Sequence, residues 1–440
     1  MGEGRINEVF ERMNNLFKLK EHNSNLRIEL MAGLTSFFAA VYIVVVNASI
    51  LSDGGKSMQP LIIATVLASV VGCLLVAFIS NTPLIIMPGM GINALFTYTI
   101  VQTMGLSFDQ ALGAVLIAGI LFTIVALTPL SRLLNEGIPT SLKTAITVGI
   151  GLFITFLGLQ KAGIVVGDKS TLVKLGDLSS PHILVFVLTL IVMLILFIKN
   201  VPGNFLIGII FGTILSIVLG VSSFSGSAFA IPSFKEYGSV FMHLNFSSIG
   251  SVNFWIATIS LTLVLIFENI GLLHGQVNGM LKAPEKNKKA LSAIALSTIA
   301  CGIFGTSPSV STVEGQSGIV AGGKTGLTSI FAALFIFLSL FFIPLITLIP
   351  NEAIAPILII IGSLMMSHIK DIDFNDFSEA FPAFIILILI PLTYSIVDGM
   401  AFGFILYPIT KITSKKWRDI PIPTYVVAVI FLAYFLMNSL

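Results

Sequence analysis

The sequence predicts an all-α protein that crosses a membrane many times, built from two inverted seven-helix repeats with discontinuous third and tenth spans. Three observations predict it. Of 440 residues, 56% are hydrophobic and 10% charged, with a mean hydropathy of +1.02, against roughly 25% charged in a soluble domain. Apolar runs recur at about the 20-residue length that a helix needs to cross the hydrocarbon core. Four successive runs of the first half have counterparts at a nearly constant distance in the second. A water-soluble fold of this length has too little interior to hide so much apolar surface, so the excess faces lipid.

The runs are 28–51, 60–80, 84–104, 109–130, 139–160, 182–199 and 203–220. After a polar stretch at 221–250 they resume at 253–276, 288–304, 308–322, 326–349, 352–368, 380–395, 396–411 and 422–440. Pro391 and Asp398-Gly399 split the hairpin at 380–411, so the count is fourteen or fifteen. The first 27 residues mix Glu3, Arg5, Glu8, Glu11, Arg12, Lys18 and Lys20, a pattern unlike a secretory signal peptide. Lys and Arg concentrate in that arm, in the loop with Lys282, Lys286, Lys288 and Lys289, and in the segment Lys411, Lys415, Lys416 and Arg418. The alternate loops hold few, with Lys161, Lys169 and Lys174 against the trend. The positive-inside rule then puts the N-terminus in the cytoplasm of a multi-pass plasma-membrane protein.

The repeat rests on position. Asn81-Thr82-Pro83 opens the third run and Thr306-Ser307-Pro308 the tenth, 225 residues later. Asn47 in the first run and Glu268 in the eighth stand 221 residues apart, and the fourth and eleventh runs begin 217 apart. If each half has seven spans, an odd number, the second half lies inverted, as in many secondary transporters. The stretch 422–440 then falls outside the repeat.

The third run reads Thr82-Pro83-Leu-Ile-Ile-Met-Pro88-Gly89-Met-Gly91-Ile-Asn93. The tenth reads Gly305-Thr306-Ser307-Pro308-Ser-Val-Ser311-Thr312-Val-Glu314-Gly315. Each begins at a proline, passes through residues suited to extended backbone, and turns helical at Gly or Ser/Thr. Spans interrupted by Gly and Pro at matching places mark a transporter's binding site, where half-helix N–H groups and a positive dipole end face a cavity. Irregular backbone at that depth is tolerable only inside protein.

Glu314 falls in the first turn of the tenth half-helix. Its structural reading is a capping box with Ser311 as N-cap; its functional reading is a carboxylate that accepts from a ligand N–H. Glu268 lies mid-span with no Lys or Arg within a turn or two. Burial without a cation favours its protonated form and makes it a natural proton carrier; the bland alternative is a protonated Glu bonded to a neighbouring helix. Gly271, Gly275 and Gly279 follow at four-residue spacing, which predicts close approach to a neighbour. Asn93 could present donor and acceptor to a ligand or join two helices as a packing amide. Asn47, Asn269 and His274 are weaker candidates, His274 being solvated if it lies at the cytoplasmic end, and Asp398 is read as structural.

Other chemistries find little support. The two cysteines, Cys73 and Cys301, sit in apolar runs and make neither a disulfide framework nor a metal cluster. No phosphate-binding Gly-Lys-Ser/Thr loop is present, Gly322-Gly323-Lys324 being a loop after a half-helix, so ATP drive is not expected. A net charge of +2 without a basic, aromatic-rich surface argues against nucleic acid, and no cofactor is implied.

Pro88-Gly-Met-Gly-Ile-Asn93, Gly305-Thr-Ser-Pro-Ser-Val-Ser-Thr-Val-Glu314, Ala321-Gly-Gly-Lys-Thr-Gly-Leu-Thr328 and Pro391-Leu-Thr-Tyr-Ser-Ile-Val-Asp-Gly-Met400 resemble the AzgA-like guanine/hypoxanthine permeases. These belong with the nucleobase:cation symporters that include xanthine and uracil permeases. The similarity runs from about residue 15 to 440. It implies a core domain of spans 1–4 and 8–11 (28–130 and 250–349) after the 1–27 arm, and a gate domain of 131–249 and 350–440 that carries the last span.

By the same resemblance a purine base lies between the half-helices, contacted by Glu268 and Glu314, with Asn93 as the third-span amide. Gly91 and Gly315 flank it, and Asn47, Asn269, Ser311 and Thr312 are secondary candidates. The branch usually carries Phe-Asp-Thr-Ile-Gly-Thr where this chain has Phe267-Glu-Asn-Ile-Gly-Leu272. Glu at 268 matches the uracil and xanthine relatives instead, without their following His, which leaves the particular base open. The resulting expectation is proton-coupled uptake of a purine such as hypoxanthine, guanine or adenine. Na⁺ in place of H⁺, and pairing of gate domains into a homodimer, stay open. The rival readings are an anion transporter of the same fold, which two carboxylates oppose, and a membrane enzyme using Glu268 and Glu314 as an acid/base pair.

Overall fold

Helices dominate the computed structural model, which describes residues 11, 14–223, 229–230 and 232–438. Arg5, Arg12, Glu3 and Glu8 of the arm lie outside the described residues. In hydrocarbon every backbone N–H and C=O must find a partner within the protein, and long Leu/Ile/Val-rich runs meet that demand as helices. The first span is α1 (Leu26–Ala40) and α2 (Tyr42–Ser52), joined by one non-helical residue at Val41. Then come α3 (Met58–Ser80), the crossing strand β1 (Ile86–Pro88), and α4 (Met90–Ala94), which widens into a π-helix over Leu95–Thr103. The half closes with α5 (Phe108–Leu127), α6 (Thr140–Lys161), the exposed hairpin β2–β3 (Val165–Asp168, Leu172–Leu175), α7 (Pro181–Ile198) and α8 (Asn204–Val218).

The second half repeats the order. It runs α9 (Val252–Leu273) with a π-helical end His274–Met280, α10 (Asn287–Phe304), β4 (Ser309–Ser311), a 3-10 turn Val313–Gly315 leading into α11 (Gln316–Val320), and α12 (Gly326–Leu338). It ends with α13 (Asn351–Met366), α14 (Phe377–Thr393) and α15 (Ile396–Thr413), after which α16 (Ile422–Asn438) packs on α15 and α9. Nine helices among the described residues are long and apolar enough to cross a membrane, and three more apolar helices are shorter. The remaining runs are α10 and the broken third and tenth spans. β1 pairs with β4 antiparallel, Ile86 against Ser311 and Pro88 against Ser309, so equivalent segments of the two halves run in opposite directions.

The helices sort into two bundles. In the first, α10 packs on α3 and α5, and α12 on α1 and α3, with α9 against α5. In the second, α13 and α14 pack on α6, α7 on α8 and α13, and α15 on α14. Tight backbone contact joins the halves within the first bundle: a Cβ on Gly326 would lie 2.4 Å from the Ala77 carbonyl oxygen. Gly305 ends α10 at φ +87°, a conformation that favours glycine, with the Val240 carbonyl 2.5 Å from where a Cβ would stand.

Two expectations need correction here. The 380–411 hairpin breaks at Tyr394–Ser395, not at Pro391 or Asp398-Gly399, and both members are full helices. Pro391 sits inside α14 and Asp398 in the first turn of α15, where Ser395 caps its N–H. Lys411, counted with the loop charges, is buried near the end of α15 in an ion pair with Glu379 at 2.6 Å.

Candidate functional site

The crossover of spans three and ten is fastened by backbone. Beyond the β1–β4 ladder, the Gly89 N–H donates to the Pro308 carbonyl at 3.3 Å and the Thr312 N–H to that of Ile85 at 2.9 Å. Each strand then turns helical, at Gly89 in one case and Thr312 in the other, and neither residue caps the helix with its side chain. The sequence reading placed both turns. The capping box it offered for Ser311 and Glu314 does not form. Thr312 is the N-cap, and the Ser311 hydroxyl donates to Gln276 Oε1 at 2.5 Å because Ser311 still belongs to the strand.

Freed from that role, Glu314 sits half-buried in the 3-10 turn and accepts a hydrogen bond on Oε1 from the Tyr42 hydroxyl. Glu268 of α9 is also half-buried and near enough to Glu314 to interact electrostatically. Among the described residues its carboxylate has neither a hydrogen-bond partner nor an ion pair. The next residue turns the other way. Asn269 Oδ1 accepts from the Ser311 N–H at 3.1 Å while its Nδ2 donates to Leu265 O at 2.9 Å. Two turns on, Gln276 Nε2 donates to the Thr312 carbonyl at 2.8 Å. Asn269 and Gln276 thus hold α9 against the tenth span, and the adjacent Glu268 is presented beside the half-helix. Gln276 lies in the π-helical end of α9; π turns alter which side chains face a neighbour and recur at functional sites.

Asn93 and Asn47 meet in the core. Asn47 Nδ2 donates to Thr65 Oγ1 at 2.8 Å and Thr306 Oγ1 at 3.0 Å, and its Oδ1 accepts from Ser307 at 3.0 Å and from Asn93 Nδ2 at 3.2 Å. The packing-amide role of Asn93 is therefore present. Its Oδ1, however, is buried without a partner, an arrangement that costs free energy unless something is to be bound. Gly91 and Gly315 are sites of close approach: a Cβ on Gly91 would stand 2.7 Å from Ile150 Cγ2 in the second bundle, and one on Gly315 3.2 Å from the Ile85 nitrogen.

The glycine face of α9 behaves otherwise than expected. A Cβ on Gly271 or Gly275 would meet nothing within 4 Å, and one on Gly279 only the His274 carbonyl oxygen at 3.8 Å. All three are exposed and begin one turn after Glu268, so they border open space and pack no neighbour. His274 is exposed beside them, its Nδ1 3.1 Å from Asn278 Nδ2.

At the opposite end of the first bundle, where α3 begins, the two bundles are joined by polar contacts. Lys161 of α6 pairs with Asp53 at 2.7 Å, and the Tyr98 hydroxyl donates to Asp53 Oδ2 at 2.6 Å. The Ile396 N–H donates across to Thr99 Oγ1 at 3.0 Å, while the Tyr394 hydroxyl donates to Gln160 within the second bundle. A cavity of about 340 Å³ lies at this end, lined by Gln160, Lys161, Asp177, His182 and Glu352 among others. No residue of the carboxylate site lines it. Tyr42, Thr65 and Gln276 were not singled out in the sequence, and Thr306 and Ser307 only as the opening of the tenth run; as uncharged residues in apolar runs, they carry little local signal of a role.

A crossover of two broken helices, held among inverted, membrane-crossing repeats, defines a membrane permease. The fold matches the transmembrane domain of the cyanobacterial bicarbonate transporter BicA with a TM-score of 0.66, over 85% of this chain and 97% of that one, at 17% identity. The Permease family model for xanthine/uracil permeases matches residues 27–402. The nucleobase transporter PlAzg2 of Paenibacillus larvae subsp. larvae is 47% identical over 87% of this chain and 77% of its own. The guanine/hypoxanthine permease PbuO of Bacillus subtilis is 39% identical over 94% of this chain and 98% of its own. The chain belongs to the xanthine/uracil permease family and is a multi-pass membrane protein.

Proposed function

We propose that the protein imports a purine nucleobase by proton symport. The observation that carries this reading is the carboxylate pair at the crossover: Glu314 with one oxygen engaged by Tyr42, and Glu268 with no partner among the described residues. A neutral purine offers N–H donors and ring acceptors along its edge. The carboxylates accept from the donors, the Asn93 amide and the uncapped half-helix N–H groups serve the acceptors, and paired polar recognition of this kind discriminates sharply. Gly315 lets the tenth span come close to the Ile85 backbone, and Gly91 lets the third span come close to Ile150 of the second bundle. Relatives named for nucleobases and for guanine/hypoxanthine support the substrate class. Two carboxylates oppose an anionic substrate.

In this reading the first bundle is the core, 28–130 and 250–349, and the second the gate, 131–249 and 350–440. Core moves against gate, and protonation of Glu268 neutralises the loaded site for the crossing. The Asp53–Lys161 end is closed and the Gly271–Gly275 face open. Lysines of the closed end are paired, Lys56 with Asp109 at 2.9 Å and Lys174 with Asp168 at 2.8 Å. We place this end outside, with the N-terminus in the cytoplasm of the plasma membrane, on the Lys/Arg bias of the arm and of the segments around 282–289 and 411–418.

The test is uptake of labelled hypoxanthine, guanine, adenine, xanthine and uracil into proteoliposomes, with and without an inward proton gradient. Concentrative uptake of a 6-substituted purine, collapsed by a protonophore, is expected. Glu268→Gln is expected to lose accumulation driven by the gradient while retaining base binding. Uphill uptake in that variant would overturn the proton role, and anion uptake indifferent to excess purine would overturn the substrate.

A further inference from the structure

We propose that Tyr42 is a positioning residue for Glu314, and that it ties the setting of this carboxylate to the second bundle. The inference rests on the reading that Glu314 accepts from the bound base. Tyr42 is the first residue after the break at Val41 and is fully buried. Its hydroxyl donates to Glu314 Oε1. With Oε1 engaged, rotation of the carboxylate is restricted and Oε2 is left to the base.

The backbone geometry keeps this contact from being a loose one. The first span lies so close on the tenth that a Cβ on Gly318 would stand 2.0 Å from Ser36 Oγ and 2.9 Å from the Ala32 carbonyl. Such contact fixes the height of Tyr42 relative to Glu314. The other side of the tyrosine ring faces the second bundle: its centroid lies 4.8 Å from that of Phe205 in α8, at 60° between planes. Phe205 in turn stacks on Phe197 of α7 at 5.9 Å and 26°. Tyr42 therefore holds a carboxylate of one bundle with its hydroxyl and touches an aromatic stack of the other with its ring. Relative movement of the bundles displaces Phe205, and with it the support behind the hydroxyl that orients Glu314. A buried tyrosine often finds a hydrogen-bond partner for packing reasons alone, so the test has to separate positioning from packing.

Labelled hypoxanthine binding is measured on the purified full chain in detergent, for wild type, Tyr42→Phe, Glu314→Gln, Glu314→Asp, Phe205→Leu, Tyr42→Phe with Glu314→Asp, and Tyr42→Phe with Phe205→Leu. Tyr42→Phe keeps the ring and removes the donor. It is expected to weaken binding about tenfold, as loss of a hydrogen bond to a charged group does, and to raise KM in proteoliposomes with little change in kcat. Glu314→Asp withdraws the carboxylate from the hydroxyl, so adding Tyr42→Phe to it is expected to cost nothing further. Phe205→Leu is expected to weaken binding in the wild type and to have no effect in the Tyr42→Phe background.

A merely structural tyrosine would give additive effects and a lowered melting temperature with KM unchanged, which would overturn the proposal. Equal effects of Phe205→Leu in both backgrounds would overturn its link to the second bundle. Undiminished binding by Glu314→Gln would instead sink the site reading itself, whereas impaired Glu314→Gln beside normal Tyr42→Phe would sink this proposal alone.

Discussion

Asn47 and Asn93 are both buried amides at the crossover, yet their surroundings assign them different work. Asn47 uses its nitrogen twice and its oxygen twice, on Thr65, Thr306, Ser307 and Asn93. Asn93 gives a bond of 3.2 Å to Asn47 and a weaker one of 3.7 Å to the Met90 sulfur, and leaves its acceptor unpaired. Removing a side chain that satisfies several buried groups strands each of them. Asn47→Ala is thus expected to cost about 2–4 kcal/mol of stability, and Asn93→Ala much less while weakening base binding more. Melting temperatures in detergent and binding of labelled hypoxanthine on the same samples check both halves. A large loss of stability in Asn93→Ala with binding intact would show that its amide is only packing.

At the scale of elements, helix ends are held by side chains from distant parts of the chain. Glu29, fully buried in α1, accepts from the backbone N–H groups of Lys324 at 3.2 Å, Thr325 at 3.4 Å and Thr328 at 3.2 Å, and from the Thr328 hydroxyl at 2.5 Å. It serves the start of α12 as a carboxylate at a helix N-terminus should. Asn81, at φ +48°, accepts from the Gly326 N–H at 2.8 Å. These contacts explain the Ala321–Thr328 motif as a joint between repeats.

The segment before α1 docks here as well. Lys286 donates to the Asn81 carbonyl at 2.8 Å and lies 3.4 Å from His22 Nε2. Burial, and then the charge of Lys286, hold the imidazole of His22 below its ordinary 6.5, against the weaker pull of Glu21 and Glu29. A folded state that binds this proton less tightly than the unfolded chain is stabilised above pH 6.5 and loses that stability as pH falls below it. Acidification from pH 8 towards pH 5 is expected to loosen the docked segment, seen as faster cleavage of the full chain by protease near residue 22, and His22→Gln is expected to flatten that dependence. Cleavage equally pH-dependent in the variant would refute the assignment.

At the scale of the whole molecule, its two ends differ. The Asp53–Lys161 pair and the Ile396–Thr99 bond join the bundles at one end, while Gly271 and Gly275 border open space at the other. If uptake requires that closed end to open, a covalent tie across it must stop transport. The native cysteines Cys73 and Cys301 are both free and buried, which leaves a quiet background. Asp53→Cys together with Lys161→Cys, joined by a short bifunctional maleimide, is expected to abolish uptake and spare base binding from the open side. Full uptake in completely cross-linked protein would rule out alternating access through this end.

Much of this was legible along the chain. Span length and apolar content are local properties, so every run read from the sequence has its counterpart in the structure. Pro83, Pro308, Gly89 and Thr312 mark the broken spans because proline and glycine act on their own backbone. Glu268 and Glu314 stood out because a carboxylate in an apolar run is costly wherever it points. The direction in which each side chain points was decided elsewhere. A helix apolar on all sides has no polar face to show which stripe meets which neighbour, so the spacing of Gly271, Gly275 and Gly279 reads as a packing stripe where the structure leaves it open.

Tertiary structure alone decided that Asn269 bonds to Ser311 of the tenth span while Glu268 has no hydrogen-bond partner among the described residues, that Ser311 belongs to a strand, and that Tyr42 reaches Glu314. The sequence determined where the chain crosses, where the third and tenth spans break, and that Glu268 and Glu314 lie within spans, because those follow from the free energy of moving each segment out of water. Which groups share the buried space was settled only by packing, because partners such as Tyr42 and Glu314 stand 272 residues apart and meet only when both repeats close on one crossover.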